Sequence, residues 1–205
     1  MLFRALKRTF DFTSATLLFI LISPFFLLLM AIVRVKLGAP VFFTQERTGL
    51  HMKKFKLIKF RTMTNERNEK GELLPDEMRL TKFGAFLRSS SLDELPELMC
   101  IIRGDMSVIG PRPLPPVYDE YYRETELKRF EVRGGLIPPD SVDSNAVISW
   151  DKQFEYETRY AEELSFTNDM RILLSVFKII FKRGQMDYGN FVRAPLNIER
   201  EKRNG

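Results

Sequence analysis

The sequence predicts an α+β chain, predominantly helical. An N-terminal membrane helix (residues 1–36) precedes a compact domain (residues 37–205) with a small β-hairpin and amphipathic helices. Three observations carry this expectation. No residue between Asp11 and Arg34 is charged. Two β-prone runs flank a turn at Gly49. The remaining apolar residues recur mostly at helical spacing.

The uncharged run rises roughly 33 Å as a helix, about the thickness of the hydrocarbon layer. It is apolar on every face, which argues against a buried core helix. Arg34-Val35-Lys36 follows it instead of a small-residue cleavage site, which argues against a secretory leader. Ser23-Pro24 lies mid-run, and proline removes a backbone donor, so a kink is expected there. Basic residues flank both ends: Arg4, Lys7 and Arg8 before, Arg34 and Lys36 after. The charge rule for orientation is therefore balanced. A kinked spanning helix and a re-entrant helix broken at Ser23-Pro24 both satisfy these facts.

Gly38-Ala39-Pro40 marks a turn. Val41 to Thr44 and Phe55 to Met63 are the β-prone runs, read as a hairpin. The polar stretch from Asn65 to Asp76 reads as an exposed loop. Thr81 can cap a short helix with Phe83, Phe86 and Leu87 on one face. A second helix runs through Leu95, Leu98, Met99 and Ile102, with Gly104 as its stop. Gly110-Pro-Arg-Pro113 through Pro116 cannot be regular structure. Tyr118 to Phe130 reads as helix, and Gly134 to Asn145 as loop. Ser149 opens a helix with Trp150, Phe154 and Tyr160. A final helix, about Asp169 to Arg183, gathers Lys178, Lys182 and Arg183 at its end, which suits either a solvated face or a membrane interface.

The net charge of +5 and pI near 9.3 point to an anionic partner without choosing one. Basic residues are interspersed with acids and form no dense patch, so nucleic acid is not an expected partner. Cys100 is the only cysteine, which excludes an internal disulfide. His51 is the only histidine, placed in a turn, which leaves little room for histidine-based catalysis or metal binding. No Walker-type or GxGxxG loop occurs.

Ser91-Leu-Asp-Glu94 has capping-box spacing, with Pro96 marking a helix start nearby. On spacing alone Asp93 and Glu94 are helix-terminal carboxylates. The same geometry serves chemistry: one carboxylate can attack phosphorus while its neighbour helps hold Mg²⁺. Arg61, Arg88 and Arg112 are candidate phosphate ligands, with Lys59 as a point charge. Arg112 is the least ordinary, because prolines on both sides restrict its backbone.

Taken in order, the segments resemble the bacterial sugar transferases. They are Ser23-Pro24, Val41-Phe-Phe-Thr-Gln-Glu-Arg47, Lys59-Phe-Arg-Thr-Met63, Ser91-Leu-Asp-Glu-Leu-Pro96, Arg103-Gly-Asp-Met-Ser107 and Gly110-Pro-Arg-Pro113. More narrowly, the chain is similar to the small monotopic phosphoglycosyl transferases. The resemblance implies an enzyme at the cytoplasmic face of the bacterial inner membrane, with a re-entrant helix and a cytoplasmic catalytic domain. It implies transfer of a phospho-sugar from a UDP-sugar, an N-acetylated amino sugar by family habit, to a polyprenol phosphate, with release of UMP. Asp93 then matches the nucleophile and Glu94 its Mg²⁺-linked partner. Lys59, Arg88 and Arg112 match basic positions around the diphosphate, with Gly110, Pro111 and Pro113 shaping the site. The resemblance weakens after Arg133: Asn145 stands where relatives carry a loop arginine, and Glu157 where they often carry Asp.

Overall fold

The computed structural model describes residues 2–143, 148–182 and 193–204, without the side chains of residues 2, 177–182 and 202–204. The expected basic end at Lys178, Lys182 and Arg183, and the altered position Asn145, lie outside what is described. The described residues are mostly helical with two small sheets. They divide into two compact units. One contains residues 12–45 and 56–103; the other contains the described residues of 2–11, 46–55 and 104–204.

α1 (Leu2–Leu37) is a single helical segment that includes Pro24. The helix continues through Pro24, and the reason is local. Pro24 has no N–H to give the carbonyl of Ile20 one turn back. The Ser23 hydroxyl donates to that carbonyl at 2.8 Å, so the orphaned acceptor is satisfied within the pair. Among the described residues, α1 is the one helix long and apolar enough to cross a membrane by length and composition. Leu17, Leu21, Leu27 and Leu28 are all more than half exposed.

In the first unit, only one stripe of α1 is covered. Phe26, Leu29, Val33 and Leu37, at spacings of three and four, are buried with Phe60 and Leu87. Phe60 belongs to β2 (Lys54–Phe60), which pairs with β1 (Phe42–Thr48) as the expected hairpin. The rings of Phe26, Phe42 and Phe60 lie 5.0–6.2 Å apart. The buried rings of Phe26 and Phe60 each contribute about 1.5–3 kcal/mol, and Phe42 is partly buried against them. Arg61 closes the corner: its Nη1 donates to the carbonyl of Ala39 at 2.8 Å and to that of Leu37 at 3.4 Å. A guanidinium at a helix C-terminus answers unpaired carbonyls and the helix dipole.

A short helix, α2 (Asp76–Arg79), follows the exposed loop. Then comes α3 (Lys82–Ser89), capped by Thr81 as expected: its side chain accepts from the Gly84 N–H. Phe83 and Leu87, four residues apart, face the α1 cluster, whereas Phe86 is exposed. A 100° step per residue places Phe86 off the stripe they share. Gly84 lets α3 lie directly on the chain after β2, since a methyl there would sit 1.8 Å from the Thr62 carbonyl oxygen. α4 (Glu97–Arg103) ends at Gly104, whose φ of +93° is a left-handed stop.

In the second unit, β3 (Ser107–Ile109) pairs in parallel with β4 (Gly135–Ile137). The Gly134–Asn145 region was expected to be loop throughout. Its strand is three residues long and is recognised only by a distant partner. Pro116–Tyr121 and Glu124–Glu131 are 3₁₀ segments instead of one α-helix. Against them pack α5 (Trp150–Glu162), capped by Ser149, and α7 (Leu196–Asn204). α6 (Phe166–Lys182) joins β3 around Ile109, Tyr160 and Ile172. Here α1 contributes its first turns. Asp11, buried, accepts from the Ser107 hydroxyl at 2.7 Å and the Val108 N–H at 3.1 Å, and Lys7 pairs with Asp169 at 2.8 Å.

Substituting Gly84 by Ala is expected to destabilise the protein by about 3 kcal/mol, because the new methyl meets backbone and not a yielding side chain. Chemical denaturation of the detergent-solubilised protein measures it.

Candidate active site

The chain leaves α3 through Ser90 and turns at Ser91, which adopts a left-handed conformation (φ 57°). A 3₁₀ turn, Leu92–Glu94, follows, and Pro96 precedes α4. The capping box expected at Ser91 is not formed: no side-chain cap hydrogen bond is made there. Its Glu side chain has a better partner, because the carboxylate of Glu94 lies 2.6 Å from Lys59 Nζ. A non-glycine residue held left-handed costs on the order of 1–3 kcal/mol and persists only where the surroundings impose it.

Lys59 also lies 3.2 Å from Glu97, which is buried. Glu97 escaped the sequence reading. Its signal was its spacing, three residues beyond Glu94 on one helical face. Asp93 is buried too, with 9% of its surface exposed. Burial holds its carboxyl above the usual carboxylate range; the charge of Lys59 works against that rise, Glu94 adds to it, and Arg88 opposes it least. Arg88 is steered by its neighbour Thr62, whose hydroxyl accepts from Nε at 3.0 Å. The structure thus gathers Lys59, Asp93 and Glu94, with Arg88 near enough for its charge to act on Asp93. Arg61 is instead committed to the carbonyls ending α1.

Mg²⁺ takes hard oxygen ligands and normally keeps several waters and substrate phosphate oxygens. The adjacent carboxylates of Asp93 and Glu94 fit that donor chemistry. Among the described residues, no three acidic, His or Cys side chains gather as a metal site of their own. Two carboxylates leave the remaining positions of such an ion to water or phosphate oxygens.

The Gly110-Pro-Arg-Pro113 segment belongs to the second unit. Gly110 is required by close approach, as a methyl on it would lie 2.2 Å from the Arg133 carbonyl oxygen. The Arg112 main chain is clamped from both sides. Its N–H donates to Glu157 at 3.0 Å, and its carbonyl accepts from Arg129 Nη2 at 2.6 Å. Arg129 and Glu157 are themselves a buried ion pair, 2.7 Å apart. Gln153 donates to the same Glu157 carboxylate at 3.0 Å. The Arg112 side chain is exposed. Pro111 and Pro113 are buried and limit its backbone, as their sequence context suggested. The acidic position at residue 157 is accordingly an internal anchor for Arg112.

Asp140 stands close to this network. Burial, together with the charge of Glu157, pushes its carboxyl up to about 6, while Arg112 and Arg193 pull it down. Among the described residues, one of its oxygens is buried with no hydrogen-bond partner.

Residues 2–183 match the family described as bacterial sugar transferase. The chain is 47% identical over 180 residues to the uncharacterized sugar transferase EpsL of Bacillus subtilis, covering 87% of this chain and 89% of that protein. It is 36% identical to the exopolysaccharide production protein ExoY of Rhizobium meliloti, over 85% and 83% of the two chains. It is 35% identical to the UDP-glucose:undecaprenyl-phosphate glucose-1-phosphate transferase of Escherichia coli. That match covers 85% of this chain and only 40% of the longer relative. The chain belongs to the bacterial sugar transferase family, and so is an enzyme of group transfer.

Asp140 binds its proton more tightly folded than unfolded, so its contribution to stability is full below about pH 4 and lost as pH rises through about 6. Substituting Asp140 by Asn is expected to stabilise the protein at pH 8 by on the order of 1–3 kcal/mol and to change little at pH 4. Thermal melts at the two pH values read the difference directly.

Proposed function

We propose that the protein is a phosphoglycosyl transferase that moves a phospho-sugar from a UDP-sugar to a polyprenol phosphate in exopolysaccharide synthesis. The single observation that carries the reading is the arrangement around Asp93. A buried carboxylate, faced by the charge of Lys59, sits in the unit whose core is one stripe of an apolar helix. A polyprenol phosphate cannot leave the bilayer, so its reaction partner must be held at the membrane surface. The relative from Escherichia coli is named for the corresponding transfer of glucose 1-phosphate from UDP-glucose to undecaprenyl phosphate.

In this reading Asp93 is the nucleophile. One of its oxygens bonds to the sugar-bearing phosphorus of the donor; the bridging P–O bond breaks and its electron pair leaves on UMP. The acceptor phosphate then attacks the same phosphorus. Asp93 regains its carboxylate, and the product is a polyprenyl diphospho-sugar. An attacking carboxylate is repelled by the anionic diphosphate, so positive charge must surround the transfer. Lys59 and Arg88 supply it around Asp93; Arg112, by the family resemblance, is a ligand for the donor phosphates. Mg²⁺, held by Asp93 and Glu94 with the substrate phosphates, would neutralise further charge when bound. Glu94, which is ion-paired to Lys59, would be the second carboxylate holding that metal.

The helix α1 would enter and leave the bilayer on the cytoplasmic side, bending near Ser23-Pro24. The Ser23 hydroxyl that satisfies Ile20 lowers the cost of a bend in lipid, where no water can replace a lost hydrogen bond. An N-acetylated amino sugar is the donor class we favour.

A panel of UDP-sugars incubated with the purified enzyme and polyprenol phosphate should yield UMP. Formation of UDP would show ordinary glycosyl transfer and sink the proposal. Asp93→Asn should eliminate a phospho-sugar adduct on the protein, detected as added mass; an undiminished adduct would assign the nucleophile elsewhere.

Lys59 lowers the Asp93 pKa. Lys59→Gln is therefore expected to move the acidic limb of the kcat/KM profile to higher pH, as the nucleophile then ionises later. An unshifted limb would separate Lys59 from the ionisation of Asp93.

A further inference from the structure

Residues 193–204 follow the span that matches the family, yet they are fastened to the second unit at several points. The Arg193 guanidinium lies over the Trp150 ring, 3.5 Å from its centroid. The Trp150 Nε1–H donates to the Ala194 carbonyl at 2.9 Å. Leu196 is fully buried in a cluster with Leu114, Trp150 and Phe154. Arg200 meets the buried carboxylate of Glu126 with both terminal nitrogens, at 2.6 and 2.8 Å. A bidentate, desolvated pair of this kind is geometrically demanding.

The attachment continues inward by hydrogen bonds. Arg193 Nη2 donates to Gln153 Oε1 at 2.8 Å. Gln153 Nε2 donates to Glu157 Oε1 at 3.0 Å, and that same oxygen accepts the Arg112 N–H at 3.0 Å. Arg193 thereby settles the orientation of the Gln153 amide. With Arg193 on Oε1, the NH₂ end must face Glu157. Were the amide reversed, its oxygen would oppose a buried carboxylate. Leu196 meanwhile packs on Leu114, two residues beyond Arg112. The C-terminal segment thus acts on the Gly110–Pro116 run at both Arg112 and Leu114.

We propose that Arg193 is a positioning residue for Arg112, acting through Gln153 and Glu157, and that residues 193–204 complete the binding site for the donor diphosphate. This rests on the reading in which Arg112 contacts that diphosphate. The C-terminal segment is then part of the substrate site even though it lies outside the family span. It holds a main-chain segment whose exposed guanidinium must meet an anion at a set place, and small misplacements of such groups are costly.

The test uses the full-length protein in detergent, comparing wild type with Arg193→Ala, Arg193→Lys and Gln153→Met. Gln153→Met cuts the relay while leaving the Arg193–Trp150 stack, so it serves if Arg193→Ala folds poorly. The first readout, hydrogen exchange over residues 110–116, needs no substrate. Exchange there should quicken in Arg193→Ala and Gln153→Met, with slow-exchanging amides of α1 unchanged; unchanged exchange at 110–116 would overturn the relay. The second readout is donor kinetics. KM for the UDP-sugar should rise about tenfold with kcat nearly constant, and Arg193→Lys should recover part of the loss. Faster exchange with an unaltered KM would overturn the role in substrate binding. A wild-type enzyme with no UDP-sugar turnover would instead defeat the proposed function, and the exchange data would still judge the relay.

Discussion

Two successive residues of one short strand organise the first unit. On β2, side chains alternate between faces. Phe60 enters the aromatic cluster that grips α1, and Lys59 reaches the carboxylates of Glu94 and Glu97. The apolar helix and the acidic turn are therefore held by opposite sides of the same strand. The transfer proposed above, to a phosphate held at a lipid surface, would use this coupling of an apolar helix to a charged centre. Shifting β2 by one residue would exchange the two faces and lose both contacts.

The charges of this unit are also arranged economically. Three carboxylates lie within five residues, Asp93 to Glu97, and two of them share one lysine. Burial raises the Asp93 pKa while Lys59 restrains the rise. Burial and the lysine charge thus act in opposite senses on one carboxyl group. The left-handed Ser91 just before it shows that the backbone is held against its own preference at this place.

In the second unit the organising pair is Arg129 and Glu157. Burying an ion pair is seldom a gain in stability by itself. Its value here is geometric, because the two side chains grasp the N–H and the carbonyl of Arg112. Part of this was open to inspection in sequence. Trp150, Gln153, Phe154, Glu157 and Ala161 fall on one helical stripe, and two polar residues on a buried stripe demand partners. What could not be read was which partners, since Arg129 precedes Glu157 by 28 residues and nothing local joins them.

The sequence by itself determined the elements whose signals are local. The uncharged run made α1, the Thr81 and Ser149 caps began α3 and α5, and Gly104 ended α4. Ordered motifs also named the family. Tertiary structure alone decided matters that depend on distant partners. The strand β4 exists because β3 lies beside it. The apparent capping box at Ser91 gave way because Lys59 offers Glu94 a charge, which a cap N–H cannot match. Arg61 left the phosphate-binding set for the carbonyls ending α1. Caps and periodicity operate within a few residues of chain, where sequence order is spatial order. Ion pairs and parallel strands join residues that only folding brings together.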